Sequence, residues 1–177
     1  MTIGCVSKLK RSILVYPEPA LRRKAKAISK VTPSIRELVS DMFRLMREAA
    51  GAGLAAPQVG ELLRLFITEE RPDDGIPERV FINPILSKLD GDLIPYDEGC
   101  LSLPDIRGMI RRPTFVAIDA MDLEGNNFHL ESDAFPARVW QHEFDHLEGM
   151  LIIDRMTPID RLRNRKAVKN LEREAGH

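Results

Sequence analysis

The chain has 177 residues, 44% of them hydrophobic and 30% charged, with a net charge of −1. That is the size and make-up of one globular domain able to bury a core, and the near-neutral balance excludes a general electrostatic attraction to DNA or to a membrane surface. Two cysteines, Cys5 and Cys100, rule out a disulfide framework and fit a reducing cytosol, while no apolar run reaches the length of a membrane span or signal-peptide core. The expectation is a cytoplasmic, single-domain protein over residues 1–177, without repeats or linkers, whose residues 1–12 form a loose tail.

In chain order, the clearest helical pattern falls over residues 34–50, where Ile35, Leu38, Val39, Met42, Leu45, Met46 and Ala49 recur at helical spacing. Ser34 and Glu37 make a capping box, Pro33 precedes it and Gly51 closes it. Met42 and Met46 are then core packing. The next stretch, Gly51 to Gly60, is rich in small residues but lacks the lysine and Ser/Thr of a P-loop. Taken alone, it reads as a helix cap followed by a turn, with Gln58 as its one amide donor and acceptor.

Short β-rich runs follow at Leu62–Thr68, Arg79–Asn83, Ile85–Leu89, Thr114–Asp122 and Phe128–Ser132. The last two form a hairpin around Glu124-Gly125-Asn126-Asn127, whose Gly and Asn supply the positive φ of a tight connection. A helix over about 136–148 follows, with Pro136 in its first turn and Gly149 at its end, and a polar helix over about 158–174 closes the chain. The pattern predicts an α+β fold: short antiparallel sheets packed around the 136–148 helix, with a C-terminal helix outside.

The richest chemistry lies in Trp140-Gln141-His142-Glu143-Phe144-Asp145-His146-Leu147. Residues i and i+4 share a helix face, so His142 and His146 can bind one metal ion with Glu143 beside it. Two histidines cannot hold a catalytic metal alone. Cys100, in Glu98-Gly99-Cys100-Leu101-Ser102, is the best third ligand, because thiolate with imidazole suits zinc or ferrous iron. Two bland alternatives stay open: Cys100 as a small buried hydrophobe, and a closed structural zinc site using Cys5, Cys100, His142 and His146. His129 and His177 read as a strand surface residue and a frayed terminus.

Taken together, the segments Gly51–Gln58, Glu98–Ser102 and Gln141–Leu147 resemble the peptide deformylase family, whose motifs G-x-G-L-A-A-x-Q, E-G-C-L-S and Q-H-E-x-D-H-L they match in order. Ile13 to Arg22 is similar to that family's opening strand and turn, and the resemblance covers about residues 13–165. It implies hydrolysis of the N-formyl group from the N-terminal formylmethionine of nascent proteins, releasing formate. It further implies that Cys100, His142 and His146 bind the metal, that Glu143 is the acid/base, and that Gln58 with the Leu101 backbone N–H stabilises the oxyanion. Gly53 and Gly99 are implied to take the extended substrate backbone by strand addition.

The chemistry supports those roles independently, since three protein ligands leave a position for water and a bound cation lowers the pKa of that water to about 7. Side chains around Phe135, Arg138 and Val139 are expected to shape the methionine pocket, with Arg138 the least expected there. The implied ion is Fe²⁺, with Zn²⁺ or Ni²⁺ in a purified sample. The implied partners are N-formylmethionyl peptides and nascent chains, with ribosome docking through the basic segment Arg161–Arg173 set against a merely solvated helix. Another metal hydrolase, such as a zinc peptidase, and a metal-stabilised binding protein are the remaining classes.

Overall fold

A computed structural model describes residues 11–69 and 78–176. The loose tail expected over 1–12 therefore falls almost wholly outside the described residues, and Cys5 and His177 fall outside them entirely. The fold is α+β: β1 (Gly53–Ala55), β2 (Leu65–Thr68), β3 (Arg79–Cys100), β4 (Leu103–Met121) and β5 (Asn127–Ser132) form one antiparallel sheet in sequential order. The helices are α1 (Pro33–Glu48), α2 (Phe135–Leu147), the single-turn α3 (Ile152–Arg155) and α4 (Pro158–Ala175). Among the described residues no helix is long and apolar enough to cross a membrane.

The expected helices occur within a residue or two of their expected ends, and α1 turns Met42 and Met46 fully inward. Its cap differs from the expectation. The Thr32 side chain, not Ser34, accepts from the Ile35 N–H, which places Pro33 at a first-turn position where no N–H is needed. The strands differ more. The runs expected at Arg79–Asn83 and Ile85–Leu89 belong to one 22-residue strand, because register shifts around residues 82–93 absorb the breaks in alternation that separate them in the sequence. The segment Ile13–Tyr16 forms no regular strand. It runs past the sheet, donating from Leu14 N–H to Gln58 O (2.7 Å) and from Tyr16 N–H to Ser102 O (2.9 Å).

Short β2 shows how the layers are arranged. Leu65 and Ile67 join Leu38, Val39, Met42 and Met46 of α1, while Phe66 faces the opposite layer with Phe81, Val116, Ile118 and Trp140 of α2. Both faces of the sheet are thus covered at β2. There Phe66 and Phe81 stack with centroids 4.4 Å apart. A third cluster joins Ile106 and Ile110 of β4 to Leu151, Ile152 and Met156, with Val168 and Leu171 of α4 packed against it. The hairpin between β4 and β5 is closed by Asp122, whose Oδ1 accepts from the N–H groups of Glu124 (2.9 Å) and Asn126 (2.8 Å), with Gly125 at φ +88°.

Candidate metal centre

Helix α2 carries two different faces. Ala137, Trp140 and Leu147 point into the sheet layer, while Val139, His142 and Glu143 line an open cleft of about 680 Å³. Across that cleft stands the end of β3. Between Gly99, which pairs with Arg107, and Cys100, which pairs with Leu103, the register shifts, and this places the Cys100 thiol beside α2. Cys100 Sγ lies 3.4 Å from His146 Nε2, and the donor atoms of Cys100, His142 and His146 all lie within 4.8 Å of one another.

His142 Nδ1 lies 3.1 Å from Glu98 Oε2. A carboxylate only accepts, so the Nδ1 position carries the proton and Nε2 keeps its lone pair for the cluster, the usual arrangement of a histidine ligand with an outer carboxylate. Burial alone would raise the Glu98 pKa, but the hydrogen bonds from His142 and Arg112, with the Arg112 charge, hold it well below the usual carboxylate range. Glu143 has the opposite fate. It is 4% exposed, its Oε2 has no hydrogen-bond partner among the described residues, and burial pushes its carboxyl up to about 7. A buried acceptor left without a donor beside a thiol and two imidazoles fits a metal ion of the zinc or iron type with a water between.

Gln58 sits on the 3₁₀ turn Ala56–Val59 that follows β1, and is 2% exposed. Its Oε1 accepts from the Ala55 N–H at 2.9 Å, which fixes the carboxamide so that Nε2 faces Ser102 Oγ (3.1 Å) and Cys100 Sγ (3.7 Å). The stretch expected to be a cap and turn is therefore β1 and this 3₁₀ turn. Leu101 lies in the tight connection from β3 to β4 and lines the cleft. Gly53 backs directly onto Glu143: a Cβ there would stand 2.5 Å from Oε1 and 2.8 Å from Cγ. A Cβ on Gly99 would crowd the Arg107 Nη1 tip at 2.8 Å and meet the rest of that side chain at ordinary contact, 3.5 Å or more. His129, as expected, is an exposed strand residue, held between Asp119 and Glu131.

Sequence reasoning passed over the ionic frame behind the histidines. Arg112, 2% exposed, donates from Nε and Nη2 to Glu98 (2.8 and 3.0 Å) and from Nη1 to Asp145 Oδ2 (2.9 Å). Arg155 also donates to Asp145 from Nε at 2.6 Å, and Arg138 donates to Glu98 Oε1 at 2.7 Å. A signal was available. Ile106, Gly108, Ile110 and Arg112 share the inward parity of β4, and a charged residue at an inward position requires a partner.

The polypeptide deformylase family model matches residues 10–162. The peptide deformylase of Acinetobacter baumannii (strain SDF) is 43% identical over 162 residues, covering 92% of this chain and 92% of its own. Peptide deformylase 1B, chloroplastic, of Solanum lycopersicum is 44% identical over 146 residues, 82% of this chain, and this chain spans about half of that relative's length, 52%. A plant peptide deformylase crystal structure superposes with a TM-score of 0.88 at 39% identity, covering 95% of this chain and 92% of that one. The matched span contains every residue of the thiol–imidazole cluster and its ionic frame, and the chain belongs to the polypeptide deformylase family.

Proposed function

We propose that this chain removes the N-formyl group from the N-terminal formylmethionine of nascent proteins, the reaction of its family, and that Cys100, His142 and His146 hold one divalent ion for it. The observation that carries these roles is the meeting of three metal-ligand atoms with the unpartnered Glu143 Oε2 and the Gln58 amide in one cleft. A bound ion supplies Lewis acidity toward the formyl oxygen and makes water more acidic. Fe²⁺ is the ion we propose for the working enzyme, with Zn²⁺ or Ni²⁺ in purified samples; thiolate with two imidazoles suits all three.

The chain's own groups divide the rest. Glu143, with its carboxyl near 7, takes the proton of the attacking water at Oε2. As the water oxygen bonds to the formyl carbon, charge grows on the formyl oxygen, and the Gln58 Nε2–H and the Leu101 N–H donate to it. Glu143 then returns its proton to the methionine nitrogen as the C–N bond breaks, leaving formate and a free amine. Gly53 on β1 and Gly99 at the end of β3 line the same cleft, and we assign them to the extended substrate backbone by strand addition.

The catalytic domain we propose spans the whole chain, and the compartment we propose is the reducing cytoplasm, in keeping with a centre built on the free thiol Cys100. We assign α4 to ribosome docking: Arg165, Lys166 and Lys169 lie on it with no ion-pair partner among the described residues, while Glu172 is engaged by the Tyr16 hydroxyl at 2.9 Å. Co-sedimentation with ribosomes that disappears at high salt and on deletion of 161–177 supports that role, and salt-independent binding by the truncated chain contradicts it. The reaction is tested by formate release from formyl-Met-Ala-Ser by anaerobically purified, Fe²⁺-loaded protein. Glu143→Gln is expected to abolish release and acetyl-Met-Ala-Ser to give none; an inactive metal-loaded wild type overturns the assignment.

A further inference from the structure

We propose that Arg138 determines which first side chain the cleft accepts, by holding Tyr96 as an aromatic lid over the pocket; this rests on the deformylase reading and refines it. Arg138 lies one helical turn before His142 on α2, and its side chain is only 13% exposed. A charged group in the wall of a pocket for an apolar side chain is costly unless every donor facing the protein is used. Here the guanidinium is occupied on the side of the ribbon. Nη1 donates to Glu98 Oε1 (2.7 Å) and to Ile110 O (3.3 Å), and Nη2 donates to Ile94 O (2.8 Å).

Those acceptors belong to β3 and β4, so one side chain ties the two-stranded ribbon to α2 at three points. The ribbon needs a tie there. Ile94 and Tyr96 are 48% exposed, and in this stretch β3 pairs only with β4. Among the described residues, the Tyr96 ring meets the Arg138 guanidinium, 5.2 Å from its centroid, and the Phe135 ring, centroid to centroid 5.7 Å at 50°. A half-exposed aromatic on a ribbon is not held by a core. Its place over the cleft depends on these contacts, one a cation–π attraction and the other a tilted-ring attraction.

What an entering side chain meets is then Phe135, Val139, the Tyr96 ring and the methylene stem of Arg138, all lining the same cleft. The lid limits bulk at the far end while admitting an unbranched, flexible chain such as methionine. Lysine cannot reproduce this, because a single ammonium cannot span Glu98 and the Ile94 carbonyl as the planar fork does.

The test compares kcat/KM for formyl-Met-Ala-Ser and formyl-Phe-Ala-Ser in wild type, Arg138→Met and Arg138→Lys, each normalised to bound metal. The expected result is a fall of about tenfold in the Met-over-Phe ratio in both variants, carried chiefly by a lower KM for the Phe peptide. An unchanged ratio in Arg138→Met overturns the proposal even if total activity drops, because a merely structural tie lowers both substrates alike. A wild-type ratio in Arg138→Lys also overturns it, since charge without the fork would then suffice. Calorimetric affinities for the unformylated Met-Ala-Ser and Phe-Ala-Ser peptides read the same ratio without turnover. The lid therefore remains falsifiable even if formate release by wild type fails.

Discussion

Glu143 stands where it does because residue 53 has no side chain. A methyl at Gly53 would lie 2.5 Å from Glu143 Oε1 and 2.8 Å from both Cγ and Cδ, so the whole carboxylate arm would have to move. With Glu143 in its proposed acid/base role, Gly53→Ala is expected to lower kcat about a hundredfold, the scale set by a misplacement of about 1 Å, while metal content stays at wild-type level. Gly99→Ala should cost far less, because only the tip of the exposed Arg107 side chain must give way. Parallel kcat and metal assays on the two variants check the contrast; equal losses would contradict it. Arg112 is the other decisive residue. Arg112→Met leaves Glu98 and Asp145 buried but still partly compensated by Arg138 and Arg155, so the loss is expected at the low end for a broken buried pair, about 3 kcal/mol. Thermal unfolding should show this as a drop of roughly 9 °C for a chain of this size.

Among the elements, α2 was the most legible, since its metal motif, the proline in its first turn and Gly149 just past its end are all local signals. How it is anchored was not. Glu148, its C-terminal cap residue, pairs with Lys24 (2.6 Å) and Arg64 (2.5 Å), residues far away in the sequence. Burial opposes ionisation of Glu148, but the hydrogen bonds and charges of Lys24 and Arg64 prevail and lower its pKa. The group is more acidic when folded, so its stabilisation is present above the unfolded value of about 4.3 and is lost as pH falls through the lower folded value. Glu148→Gln should therefore unfold at a lower temperature than wild type at pH 7, with the gap closing below about pH 4. A gap that stays constant down to pH 3 would show that charge is not its origin. The strands were less legible than the helices because β3 and β4 carry register shifts, and each shift swaps the inward and outward parity on which alternation depends.

At the scale of the whole molecule, three clusters of apolar side chains form the core among the described residues, and the proposed metal ligands belong to none of them except through the partly buried Cys100 at the margin of the third. The apolar core is therefore expected to hold without the ion. Chelation is accordingly expected to end formate release and lower the unfolding temperature through lost ligand binding, while far-UV circular dichroism stays native. Collapse of the helical signal on chelation would show a folding role of the kind seen in small zinc domains.

The sequence by itself determined the candidate residues of the site: a helix with histidines four apart, a thiol in a glycine-flanked motif and an amide in a small-residue stretch are each local patterns of residue type and spacing. It also determined the helices, whose periodicity and caps involve neighbours in the chain. Only the tertiary structure decided that Arg112 and Arg138 converge on Glu98 and thereby orient His142, and that the opening segment braces Gln58 and Ser102 from behind. The physical reason is that these contacts join residues tens of positions apart, through strand register and helix placement. No local spacing rule encodes a pairing that exists only once the sheet has folded.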